Sequence, residues 1–212
     1  VLTVANLLPL FGVVFLDWDA AAIVLLYWIE NLIIGLFNVL RMILVKAESA
    51  AGQFQKLFMI PFFCVHFGGF CAVHGFFLLA FFKIGSTWDA FAPGDPWLGP
   101  LIFLQLLYSV VMQLWQSRPP GLEWPVLGLA VSHGISFVKN FLLGREYLSL
   151  KINQIMMRPY KRIVLMHVAI IAGGVLVMML GSPVGLLCVL IFFKIGMDIW
   201  LHVKSHRVAG SK

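Results

Sequence analysis

Several apolar runs in this chain approach the roughly 20 mostly apolar residues that a membrane-spanning helix needs, and they restrict the fold more than any other feature. Backbone N–H and C=O groups find no water in hydrocarbon, so such runs must close their hydrogen bonds internally as helices. Only 11% of the 212 residues are charged and 61% are hydrophobic. A typical soluble domain is roughly 25% charged. The expected fold is all-α, a polytopic integral membrane bundle of six or seven transmembrane helices forming one domain over residues 1–212.

The runs divide as follows. Val1–Leu16 has no basic n-region and no small-residue cleavage site, so it reads as a first helix rather than a signal peptide. Because the first residue is Val and not Met, a trimmed natural N-terminus is expected. An acidic turn, Asp17-Trp18-Asp19, leads into a second helix over Ala20–Val45. A polar loop, Lys46–Gln55, precedes a third helix, Lys56–Phe82, and Gly85–Pro100 is an acidic extramembrane loop. Trp97–Gln116 and Pro125–Leu143 are the fourth and fifth runs. Glu146–Met157 is too polar to span and is expected to lie at the interface as an amphipathic segment. Ile163–Leu180 and Pro183–Val203 form a closing hairpin around Gly181-Ser182-Pro183.

Net charge is +6, and its placement matters more than its size. Lys and Arg gather at Arg41–Lys56, Lys139–Arg162 and Lys204–Lys212, marking a cytoplasmic side able to hold anionic lipid head groups. A nucleic-acid partner is not expected, because these basic residues flank membrane helices. Two full spans between Gly85 and Arg145 would place the Lys139–Arg162 cluster on the wrong side. One of those runs is therefore expected to be re-entrant or interfacial. The three cysteines, Cys64, Cys71 and Cys188, lie in apolar runs and do not suggest a disulfide framework.

Five of the six histidines, with Glu30 and Asp198, are embedded in the apolar runs. Ionisable groups cost several kcal/mol at membrane depth, so they pair, face a bundle interior or serve a function. Counted from the basic boundaries, His66, His133, His167, Asp198 and His202 fall in one layer, roughly 6–17 Å below the basic surface. Glu30 falls deeper, between the levels of His66 and His74. Asp198 and His202 are i and i+4 and share a helix face. His133 and Asn140 share another, with Ser136 nearby.

Histidine nitrogens and carboxylate oxygens are zinc ligands, and a catalytic zinc site keeps one position for water. His66, His133, His167, Asp198 and His202 are thus the candidate metal ligands, with Glu30 as candidate general base. Asn38, His74, Ser136 and Asn140 would orient the ligands from behind. Blander readings stand beside this one. Asp198 also reads as the counter-ion of Lys194, Glu30 as the partner of Arg41 or of the Trp28 indole, and the Cys64–Cys71 face as small apolar packing. Gly68-Gly69 suits close helix packing, or a flat porphyrin beside His66. Sequence does not separate zinc from iron.

The strings Tyr27-Trp28-Ile29-Glu30-Asn31 with Gly35, Asn38 and Arg41-Met42 resemble a family of prokaryotic multi-span membrane proteins. So do His66-Phe67-Gly68 with His74-Gly75, Ser132-His133-Gly134 with Asn140, and Arg158-Pro159-Tyr160 with His167. The family is domain-of-unknown-function family 6498, and the resemblance covers nearly the whole chain. It implies a multi-pass protein of a bacterial or archaeal inner membrane and no particular activity. The set of His, Asp and Ser also looks like the zinc hydrolases of the ceramidase and adiponectin-receptor superfamily, although order and spacing differ. The functional expectation is a zinc-dependent membrane hydrolase acting on a lipid or amphiphile. The alternatives are a b-type haem electron carrier and a proton or metal transporter.

Overall fold

The computed structural model describes residues 18–46, 49–82 and 96–180, together with 188, 189, 191, 192 and 196. The first apolar run, most of the acidic loop after Gly85 and most of the closing run after Pro183 lie outside the described residues, and so do Asp198 and His202. Every regular element among the described residues is helical. The helices are α1 (Ala20–Leu44), α2 (Ala50–Phe82), α3 (Ile102–Gln116), α4 (Glu123–Ser136), α5 (Ile152–Met157) and α6 (Tyr160–Leu180). A π-helical segment, Phe137–Leu143, continues α4, and single 3-10 turns occupy Gly99–Leu101 and Glu146–Leu148.

Three stretches, Ala20–Leu44, Gly52–Phe82 and Glu123–Leu143, are long and apolar enough to cross a membrane. That fits an integral membrane protein, with fewer spans among the described residues than the six or seven expected. At 15 residues, α3 is too short to cross a hydrocarbon layer of about 30 Å. The outward face of α4 carries Trp124, Leu127, Val131 and Ile135, all exposed, and α2 exposes Phe54, Leu57 and Phe58. Large apolar side chains in such stripes suit a lipid environment and not water.

Local chemistry explains the helix ends. Asp19 Oδ1 accepts the Ala21 N–H at 2.8 Å, satisfying one of the orphan donors at the start of α1. The other end of α1 is closed by a neighbour, since Lys56 Nζ donates to the carbonyls of Ile43 (2.9 Å) and Val45. Ser49 Oγ accepts the Gly52 N–H at 3.2 Å and starts α2 at Ala50, six residues before the expected Lys56. Pro61, exposed inside α2, leaves the helix continuous.

By compactness the chain forms two units, Leu25–Val164 on one hand and Val1–Val24 with Leu165–Lys212 on the other. Within Leu25–Val164, Trp28 Nε1 donates to the Cys71 carbonyl at 2.9 Å and ties α1 to α2. Close approach is set by two glycines. A Cβ on Gly75 would stand 2.5 Å from Val110 and 2.6 Å from Trp28, and one on Gly35 would stand 2.7 Å from Phe67. Small residues let helices approach where burial from water supplies no driving force between them. The core joins Met42, Met59, Phe63, Phe67, Phe141 and Ile155.

The course of α3 bears on the orientation conflict. Gly69 faces Phe103, Gly68 faces Leu104 and Leu107, and Gly75 faces Val110. The two helices therefore run parallel, with α3 starting beside the middle of α2. Meanwhile α4 follows α1 in the same direction: Leu122 lies near Leu25 and Trp28, Gly134 against Phe37, and Phe137 against Phe37 and Arg41. Thus α4 and its π segment return to the end of the bundle where α1 finishes. The basic segments 46–56 and 139–151 meet at that one end, where the Lys46 N–H donates to the Tyr147 carbonyl at 2.8 Å.

The Glu146–Met157 segment, expected to be amphipathic, is two-faced: Leu148, Ser149, Lys151, Asn153, Gln154 and Met157 are exposed while one side packs on the bundle. Ile152 and Ile155 are buried with Met42, Met59 and Phe63 in the core. Consequently α6 starts deep: Tyr160 packs edge-on against Phe63 and Phe67 of α2.

Candidate functional site: an ion cluster joining α1, α4 and α6

Near the middle of α1, Glu30 meets two basic side chains from distant parts of the sequence. Arg162 Nη2 donates to Glu30 Oε2 at 2.5 Å, and His133 Nε2 stands 3.4 Å from Glu30 Oε1. The two basic groups thus meet different oxygens of the carboxylate. The side chains are partly enclosed, with 15% exposure for Glu30 and 28% for each of the other two. In such a setting an unpaired carboxylate would be costly, and the Arg162 guanidinium offsets that cost. The cluster is neutral when His133 is neutral and carries one positive charge when His133 is protonated.

The level of this cluster follows from the antiparallel packing of α1 on α2. Trp28 meets Cys71 and Gly75 whereas Gly35 meets Phe67, so Glu30 lies between the levels of His66 and His74, as counted from sequence. Arg162 reaches it because the first turn of α6 is set inside the bundle. Pro159 starts that turn, its carbonyl accepting the N–H groups of Arg162 (3.0 Å) and Ile163 (3.1 Å).

Both sequence-level partners proposed for Glu30 are replaced. Arg41 lies over the Phe137 ring, its guanidinium carbon 5.6 Å from the centroid, and the Trp28 indole bonds the Cys71 carbonyl. Arg162 escaped the sequence reading because it sits in the basic run Arg158–Arg162, which looks like a solvated membrane boundary. The one available signal was a charge balance: a mid-helix carboxylate requires a cation from somewhere.

His66, His74, Asn38, Ser136 and Asn140 belong to the same unit and have surroundings of their own. His66 Nδ1 is 2.9 Å from the Tyr160 hydroxyl, and its ring stacks on Phe62 and meets Phe70 edge-on. Tyr160 is a second residue that sequence reasoning missed. His74 is buried, with its ring 6.4 Å from that of Phe70. Asn38 is buried and directs its amide at Met42 Sδ, 3.9 Å away. Asn140, expected on the face of His133, instead donates to Ser136 Oγ at 3.1 Å and is exposed. The π segment begins at Phe137, so the seven-residue spacing no longer returns to the same face. His167 lies in the other unit, and Asp198 and His202 are outside the described residues.

Among the described residues, no group of three or more His, Cys, Asp or Glu is arranged to hold a metal ion. Glu30 and His133 supply two such groups, and the carboxylate is already neutralised by Arg162. The Gly68-Gly69 face, considered for a porphyrin, is filled by Phe103, Leu104 and Leu107 of α3. Close helix packing is the role that those glycines have. The three cysteines are free thiols.

Apolar helices of spanning length around a partly enclosed Glu–His–Arg cluster describe a helical membrane protein with ionisable groups inside its bundle. The chain belongs to the family of unknown function DUF6498, whose family model matches residues 1–212. No curated protein and no solved structure matches it.

Proposed function

We propose that this protein is a multi-pass membrane hydrolase of lipid or amphiphilic substrates, in which His133 is the general base and Glu30 orients it. The observation that carries this reading is the Glu30–His133 approach inside an apolar bundle, with Arg162 on the other carboxylate oxygen. Imidazole is the one member of the three whose chemistry allows proton uptake and release near neutral pH. A carboxylate on one ring nitrogen fixes the imidazole and stabilises its protonated form, leaving the other nitrogen to take a proton from water. His133 keeps partial exposure on a helix whose outer face is apolar, so an amphiphile in the bilayer can approach laterally.

The membrane arrangement belongs to the same proposal. The short α3 runs from beside the middle of α2 toward the end of the bundle opposite the lysines, so that α4 with its π segment is the crossing between Gly85 and Arg145. That arrangement leaves six crossings in the whole chain and sets the basic segments on the cytoplasmic face of a prokaryotic inner membrane.

The test is turnover of ester-linked amphiphiles by the purified protein in mixed micelles. His133→Gln is expected to reduce the rate by about 10²–10⁴-fold, the usual contribution of a positioned base. A folded wild-type protein that cleaves no such substrate, but carries protons across proteoliposomes in a His133-dependent manner, would replace this reading by transport. A zinc-assisted version draws its further ligands from Asp198 and His202. It expects stoichiometric zinc by elemental analysis, lost in Asp198→Asn.

A further inference from the structure

A second polar feature lies at the basic end of the bundle. A half-open cavity of about 350 Å³ lies where the end of α1, the start of α2 and the segment before α5 converge. Its ionisable lining among the described residues consists of Lys46, Lys56 and Lys151, with no carboxylate, and Ser49, Gln55 and Asn153 add polar groups. Three ammonium groups around one cavity repel each other, most strongly at the half-buried Lys56, while solvent moderates the repulsion at the exposed Lys46 and Lys151. An anion in the cavity relieves the repulsion.

The donors fit a tetrahedral oxyanion. An ammonium group has three N–H donors, and Lys56 spends two of them on the carbonyls of Ile43 and Val45, which fixes it and leaves one. Ser49 Oγ accepts from Gly52 and so keeps its own O–H to donate. The rim is built and not merely adjacent, because the Lys46 N–H bond to the Tyr147 carbonyl clamps the two segments together. Next to the cavity on α2, Phe54, Leu57 and Phe58 are exposed, an apolar surface suited to acyl chains.

We infer that the Lys46–Lys56–Lys151 cavity is a binding site for a phosphate group, carried by an anionic phospholipid of the surrounding leaflet or present as free phosphate. The site is separate from the Glu30 cluster and does not depend on its chemistry.

The test uses the full chain in detergent, with lipid retention read by native mass spectrometry and inorganic phosphate binding by calorimetry. Phosphatidylglycerol, phosphatidylcholine and inorganic phosphate are the three probes. The double variant Lys46→Gln/Lys151→Gln removes two exposed charges and spares Lys56, which caps α1. Lys139→Gln/Arg145→Gln removes the same charge from the same basic run without touching the cavity lining. Phosphatidylglycerol is expected to bind better than phosphatidylcholine and to lose about 30-fold in the cavity variant, at about tenfold or less per lysine, with little loss in the control. If inorganic phosphate alone binds and shows that loss, the site stands with a soluble ligand. Equal losses in the two variants, or no binding of any anionic probe to wild type, would overturn the assignment.

Discussion

Glu30 illustrates how much rests on single side chains in this bundle. Its carboxylate is shared between Arg162 and His133, so removing one partner leaves a charge in a site that disfavours it. Arg162→Gln and Glu30→Gln are each expected to destabilise the protein by about 1–3 kcal/mol, less than a fully buried pair because the groups keep some exposure. The double variant should recover part of that loss. Thermal melting of the detergent-solubilised protein measures all three, and strictly additive losses would mean that the pair is not coupled. The presence of a costly Glu30 was legible in the sequence, and so was its level between His66 and His74. Its partner was not, because Arg162 is 132 residues away and nothing local marks it.

At the level of elements, the π segment Phe137–Leu143 decides which side chains α4 presents. The Gly144 N–H reaches the Lys139 carbonyl at 3.0 Å, five residues back, and closes the wide turn. A Cβ on Gly144 would stand 2.3 Å from the Asn140 carbonyl oxygen, and that atom is backbone and cannot swing away. Gly144→Ala is expected to cost at least about 1–3 kcal/mol, the usual penalty of forced overpacking, whereas Gly128→Ala, in open space within α4, should be neutral or stabilising. Comparing the melting temperatures of the two variants checks this, and equal behaviour would argue against a tight π-helical exit. The apolar periodicity of the run was visible in the sequence. The change of helix type was not, since it depends on seating both Phe137 and Phe141 in the core.

Across the molecule, the basic segments meet at one end of the Leu25–Val164 unit because α3 runs alongside α2 and not back along it. In a background with its native cysteines changed to Ala, Ser49→Cys and Asn153→Cys are expected to react with an impermeant thiol reagent from the same side of the membrane. Ser117→Cys, at the α3–α4 turn, should react only from the other side. Labelling of all three from one side would show that α4 does not cross.

Composition and run length determined the helical, membrane-compatible character of the chain, because a backbone in hydrocarbon has few ways to satisfy its hydrogen bonds. The motif strings likewise carried the family assignment, which the whole-chain match establishes. What each embedded charge touches was decided by the tertiary structure. Counting depth from basic residues places a side chain along the bundle but does not say which neighbour it meets, and Arg162 lies itself in the basic run used as a boundary. Ile152 and Ile155 anchor the preceding segment on the core, and that segment leads into α6, where Tyr160 meets His66 and Arg162 meets Glu30.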